Sequence, residues 1–394
     1  MPQGSQNHSY WRSLAELSGD PQFEGFLKAE FPHAADLTGL NRRRWLQLMG
    51  ASLALAAATG CRWEKEEFRP FAVRPLNRLP GVPKRYATAM DLGGMAIGLH
   101  VTSYDGRPIK VEGNPKHPHS QGATDVFAQA SILELYDPER NRPLRRQGPQ
   151  GTTHHTWEEF AAFVRGLLAD IRGNGAKGLA ILSPASSSPT LAGLRKRLTT
   201  ELPNARWYEF ESVSYDNLRD GARQAFGEPW RTQLDLAPAQ VIVTLDADLL
   251  SQYPAAMRHA RDFSQGRTAV AGKMNRLYAI EPCYSLTGAM ADHRLPLSSG
   301  DVAAFAAALE EAVNALLSGK TPAPDPSPHF PFLVAVAKDL VAHSGRCVAV
   351  AGPRQPADVH ATLHRLNAML GNVHKTVSYT ADPHPERPSH VEAL

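Results

Sequence analysis

The chain has 394 residues, of which 42% are hydrophobic and 21% charged, the balance of a globular protein with a sizeable core. Its net charge of +3 is small and its basic residues are scattered, which argues against nucleic acid as a partner. Three cysteines, Cys61, Cys283 and Cys347, form no C-x-x-C pair, so this chain alone supplies too few thiolates for a standard iron–sulfur cluster or a Cys-rich zinc site.

In chain order, the first stretch interleaves aromatic and acidic residues in SYWRSLAELSGDPQFEGFLKAEFP, which reads as a short amphipathic helix and a proline-punctuated turn. There follows NRRRWLQLMGASLALAAATGC, Asn41 to Cys61, with a basic Arg42-Arg43-Arg44 ahead of an apolar run from Trp45 to Ala58. The order resembles a twin-arginine export signal with Arg42 and Arg43 as the paired arginines; the alternative is a buried helix. The run is shorter than the roughly 18–20 apolar residues that span a bilayer. Ala58-Thr59-Gly60-Cys61 resembles a lipoprotein cleavage box, in which acylated Cys61 would hold the chain to a membrane surface. An incidental thiol after an ordinary cut is the other reading of Cys61.

From Cys61 to Lys84 the charged, proline-rich RWEKEEFRPFAVRPLNRLPGVPK reads as an extended tether. Asp105-Gly106 between IGLHVTSY and RPIKVEG predicts a β-hairpin, and Asn114-Pro115 with His117-Pro118 a turn-rich loop. Thereafter β-type runs (GLAILSP, ARWYEF, QVIVTLD, RLYAIEP, CVAVAG) alternate with helical ones. Thr156 and Glu159 form a capping box for WEEFAAFVRGLLADI. Helices also fit SPTLAGLRKRLTTEL, AAFAAALEEAVNALL and DVHATLHRLNAMLG, the last stopped by Gly371. SGKTPAPDPSPHFP is a proline-rich surface loop. The alternation implies an α/β fold with a largely parallel sheet covered on both faces. A second capping box, Ser389 with Glu392 in SHVEAL, begins a helix two residues before the last residue, which suggests a longer parent protein.

The most specific resemblance rests on GRPIKVEGNPKHP followed by LYDPER, supported by LTGAMADHRLPL at Leu286 to Leu297 and by VIVTLDADLL. These segments, in this order, resemble the bis-molybdopterin guanine dinucleotide oxidoreductases, the dimethyl sulfoxide reductase superfamily. The internal signal resembles the variant-translocated members of that family. The resemblance implies a molybdopterin-oxidoreductase-like α/β fold, with a small N-terminal β-hairpin region and doubly wound parallel-sheet domains. The implied division is a leader at 1–60, the tether at 61–84, a hairpin-containing domain at 85–150 and an α/β region at 151–394.

The departures are informative. Iron–sulfur members carry cysteines ahead of the hairpin and between the GNP-HP and LYDP segments; YATAMDLGGMAIG and ATDVFAQAS hold none here. ESVSYDN, where the family places its molybdenum ligand, offers Ser212, Ser214 and Asp216, which otherwise read as helix-capping residues. The pattern is similar to the molybdopterin-oxidoreductase-like subunit of alternative complex III. That resemblance implies an exported, lipid-anchored subunit of a quinol-oxidising respiratory complex whose fold serves assembly. Its partners would be a quinol-oxidising membrane subunit, cytochrome c subunits and the twin-arginine translocase. Iron–sulfur clusters would lie in a later, C-terminal half, and this segment would hold no cofactor, metal or catalytic residue. One alternative is an active molybdopterin enzyme acting on an oxyanion or sulfur compound, with molybdopterin guanine dinucleotide bound. The other is an exported lipoprotein that binds a small ligand.

Cys283, at a strand end, reads as a buried inert thiol. His117, His119, His154, His155, His384 and His390 read as solvated loop histidines beside prolines. LGGMAIG lacks the G-x-G-x-x-G spacing of a nicotinamide site. Asp246 and Asp248 end a strand where α/β ligands usually bind, or cap the following turn.

Overall fold

The computed structural model describes residues 79, 81–140, 144–149, 151–268 and 274–394, with the isolated positions 18 and 25. Contacts divide the chain into Met1–Leu76 and Asn77–Leu394, and the elements below belong to the second unit. The readings of Arg42, Arg43 and Cys61 lie outside the described residues.

The expected hairpin opens the unit. Strands β1 (Lys84–Leu92), β2 (Met95–Tyr104) and β3 (Arg107–Gly113) form an antiparallel meander. Asp105 at φ 46° and Gly106 at φ 87° supply the two left-handed residues that a type I′ turn requires, which is why this dipeptide sits there. A second hairpin, β4 (Leu144–Gly148) with β5 (Gly151–His155), carries no such dipeptide and has no counterpart among the sequence-based expectations. It leads into helix Trp157–Gly173, whose Thr156–Glu159 capping box is present as predicted. That helix buries none of its residues.

Strands β6 (Ala180–Ser183) and β7 (Arg206–Glu209) pair in parallel around helix Pro189–Glu201. Beyond them, β8 (Trp230–Leu234) pairs antiparallel with β13 (Val377–Ala381). The main sheet comprises β9 (Val241–Leu245), β10 (Arg276–Glu281), β11 (His293–Pro296) and β12 (Cys347–Ala351), in the parallel order β11-β10-β9-β12.

Period-2 alternation explains its two cores. Val241, Val243 and Leu245 face helices Val302–Leu317, Phe330–Ala342 and Ala357–Met369, packing with Leu309, Val336, Leu340 and Leu366. Ile242, Val348 and Val350 face the opposite way, toward Leu236, Leu249 and Phe263. A strand buried on both faces reads as a nearly continuous apolar run, as CVAVA does and as VIVTL does apart from Thr244, whose hydroxyl donates to the Tyr278 carbonyl at 3.4 Å. The α/β architecture expected from the sequence, with a parallel main sheet covered on both faces, is therefore the one found.

Helix Asp216–Phe226 crosses helix Ala357–Met369 at close range: a Cβ on Gly221 would collide with His360 and the Ala357 carbonyl. Glycine there costs helix propensity but permits the contact. The last two residues of the proline-rich stretch expected to be loop, Phe330 and Pro331, instead begin helix Phe330–Ala342. Pro331 occupies the first turn, where a missing N–H costs nothing.

Candidate functional site

A cavity of about 450 Å³ lies beside the carboxyl ends of the parallel pair β6 and β7, the end of an α/β strand pair where ligands usually bind. Its wall is assembled from distant segments: Gly93 to Ala96 at the β1–β2 turn, His117 to His119, Ala185 to Ser187 after β6, and Glu209 at the end of β7. Strand β8, the loop after β9 with Tyr253, and Asp382, Arg387 and His390 complete it.

The ionic groups are engaged with one another. Arg219 is buried; its Nε lies 3.0 Å from Asp382 Oδ2, and its Nη2 donates to the carbonyls of both His384 and Pro385. Arg231 reaches the same carboxylate at 3.7 Å. Glu209 accepts from Arg195 at 2.7 Å. Asp216 accepts from Arg387 at 2.8 Å and from the His390 N–H at 2.7 Å. Desolvation raises the Asp216 pKa, but these hydrogen bonds, with one to Ser214, outweigh it and hold the carboxyl below its usual range. His390 is buried, and its Nδ1 donates to the Glu209 carbonyl at 3.1 Å.

Two histidines beside the cavity are held neutral by their surroundings. Burial pushes His259 down to about 4, aided by Arg258, while its Nδ1 has no partner. Burial also lowers His119, whose Nδ1 is likewise unpartnered. Next to them, His117 Nδ1 accepts from the His119 N–H at 3.3 Å. Tyr253 is 8% exposed, and desolvation first, then Tyr215, pushes its phenol above the ordinary range. Tyr253 therefore remains a protonated hydroxyl.

Several expectations need correction. His117, His119 and His384 are partly buried on loops, and His390, 3% exposed, begins helix His390–Ala393, so adjacent prolines did not mean solvent. Cys283 is exposed, because the chain turns outward directly after β10, whereas Cys347 is the buried thiol. A thiol-reactive maleimide should thus label Cys283 in the native protein and Cys347 only after unfolding, as read by peptide mapping. Native protection of Cys283 would contradict this placement.

Of the candidate ligands, Ser212 is exposed and Ser214 Oγ accepts from the Asp216 N–H at 3.0 Å. Ser212, Ser214 and Asp216 lie outside the cavity wall, although Tyr215 is part of it. Asp248 takes both Thr287 groups, and Asp246 takes Ser299, Arg354 and Gln355, so both acids tie down the turns that follow the sheet. Sequence reasoning missed Arg219, Arg231, Tyr253 and His259, which no local motif marks. It also missed His360 and His364, buried one turn apart on helix Ala357–Met369, although their i, i+4 spacing was visible.

The fold family implies a molybdopterin-type cofactor, and the residues present fit it poorly. No cysteine lines the cavity, and both acids in its wall are paired with arginines. Among the described residues no group of three or more His, Cys, Asp or Glu side chains is placed to hold a metal ion. The backbone N–H groups after β6, which could cradle a phosphate, already donate to carboxylates. Ala185 N–H lies 2.8 Å from Glu211 and Ser187 N–H 3.0 Å from Asp91.

No family model matches the chain. It is 27% identical over 282 residues to the menaquinone reductase, molybdopterin-binding-like subunit of Nitratidesulfovibrio vulgaris, covering 68% of this chain and 39% of that protein. It is 24% identical over 226 residues to a sulfite dehydrogenase subunit from Allochromatium vinosum, covering 55% of this chain and 22% of that protein. The chain thus spans well under half the length of the curated relatives it matches. Among solved structures, acetylene hydratase from Pelobacter acetylenicus superposes with a TM-score of 0.51 at 15% identity, over 72% of this chain and 42% of that one. The chain carries the α/β fold of the molybdopterin oxidoreductases, and its relatives support a place in a molybdopterin-oxidoreductase-like family.

Proposed function

We propose that the chain is part of a membrane-attached subunit of a respiratory, quinone-linked electron-transfer complex of the alternative complex III type. In this reading its molybdopterin-type fold has lost molybdenum and serves assembly. The observation that carries it is the internal engagement of the groups a cofactor would need: Asp216 is held by Arg387 and His390, and the loop N–H groups by Asp91 and Glu211. The similarity to a menaquinone reductase subunit described as molybdopterin-binding-like supports the same reading. Partners would be a quinol-oxidising membrane subunit and cytochrome c subunits, with iron–sulfur clusters in a further part of the protein. Export through the twin-arginine translocase by Arg42 and Arg43, and a lipid anchor at Cys61, belong to this proposal.

Growth on tungstate in place of molybdate tests it. Quinol-dependent electron transfer by the intact complex should be unchanged, while molybdenum enzymes in the same cells lose activity. A parallel loss in this complex would sink the reading.

A further inference from the structure

The poor fit between the cavity and a metal-bearing, phosphate-bearing dinucleotide raises the question of what the cavity does take. We infer that it is a binding site for one uncharged, planar organic molecule bearing a carbonyl acceptor, and that it has been closed to phosphate-bearing and carboxylate ligands. The cavity's chemistry stands apart from the electron-transfer role proposed above.

Size sets the first limit. About 450 Å³ is the volume of a pocket for a compact ligand. Charge sets the second. An anion entering next to β6 would approach Asp91 and Glu211, which already occupy the N–H groups that would receive it. Ser186 Oγ also donates to Asp91. Elsewhere in the wall, Arg219 is paired with Asp382 and donates to two carbonyls, and Arg387 is paired with Asp216. Pulling either arginine toward a ligand would strand a partly buried acid, at a cost comparable to the new contact.

The groups left over suit a neutral molecule. Tyr253, only 8% exposed, forms part of the wall and makes no hydrogen bond through its hydroxyl among the described residues. That hydroxyl is free to donate to a ligand carbonyl. Arg231, also in the wall, is held by the Asp382 carboxylate at 3.7 Å. His119 and His259, held neutral, add no charge to the wall. Met95, Leu218, Trp230 and Pro254 supply apolar surface for a ring.

Isothermal titration of the full chain tests the idea with three probes: an uncharged quinolinone, its carboxylate derivative and inorganic phosphate. The quinolinone should bind, the carboxylate at least about tenfold more weakly, and millimolar phosphate should not compete. Tyr253→Phe removes only the hydroxyl and should weaken the quinolinone about tenfold, the loss of one hydrogen bond. Asp91→Asn, at the exposed end of β1, should keep quinolinone binding and admit phosphate as a competitor, which separates a ligand effect from misfolding. Absence of quinolinone binding, tighter binding of the carboxylate, or unchanged affinity in Tyr253→Phe would overturn the inference.

Discussion

Lowering the pH from about 7 to about 5 is expected to destabilise the folded unit by about 6 kcal/mol, roughly 2 from each of three buried histidines. His259, His360 and His364 are each lowered to about 4, in every case first by burial. An unfolded chain protonates its histidines near 6.5. Between about 6.5 and 4 it therefore binds more protons than the folded chain, so stability is intact above that window and falls as pH falls through it. The slope should approach about 4 kcal/mol per pH unit in the steep region, against a typical total of about 5–15 kcal/mol. His364 packs against Phe226 and Tyr379, and shares a hydrogen bond with the Tyr379 hydroxyl at 3.0 Å. Replacing it, His364→Phe, should remove one proton from the slope. Urea melts at several pH values check this; equal midpoints at pH 7 and 5 would refute it.

The second large effect belongs to Arg219. Its side chain is 7% exposed and joins helix Asp216–Phe226 to Asp382 and the carbonyls of His384 and Pro385. Arg219→Met leaves a carboxylate that is 4% exposed with Arg231 at 3.7 Å as its cationic partner among the described residues and the His384 N–H at 3.0 Å. Stranding one member of a buried ion pair typically costs about 3–5 kcal/mol. The variant should lose that much in urea denaturation, and amides from 382 to 390 should exchange faster. Arg223 also donates to the Pro385 carbonyl, at 3.0 Å, so the segment should loosen without detaching. A loss below about 1 kcal/mol, the worth of an exposed pair, would mean that the segment is held some other way.

What was legible in the sequence follows a physical rule. The Asp105-Gly106 turn, the Thr156–Glu159 and Ser389–Glu392 capping boxes, and the VIVTL and CVAVA strands are determined by neighbours within a few residues, and all are present. Helix Phe330–Ala342 was hidden because the proline that ends the preceding loop also starts the helix. The cavity was not legible at all. Arg219 and Asp382 are 163 residues apart, and Asp216 and Arg387 are 171 apart. The packing of helix Asp216–Phe226 on helix Ala357–Met369 and the pairing of β8 with β13 bring the segments carrying them together. Histidine neighbours misled for the same reason: proline marks a turn, and turns at the end of a sheet can face a cavity.

The most direct measurement is the molybdenum and iron content, by elemental mass spectrometry, of the full-length native protein isolated with its partners from membranes. Iron without molybdenum is the predicted result. Molybdenum near one atom per protein would contradict the proposed role, and Ser212, Ser214 and Asp216 would then be the positions to replace.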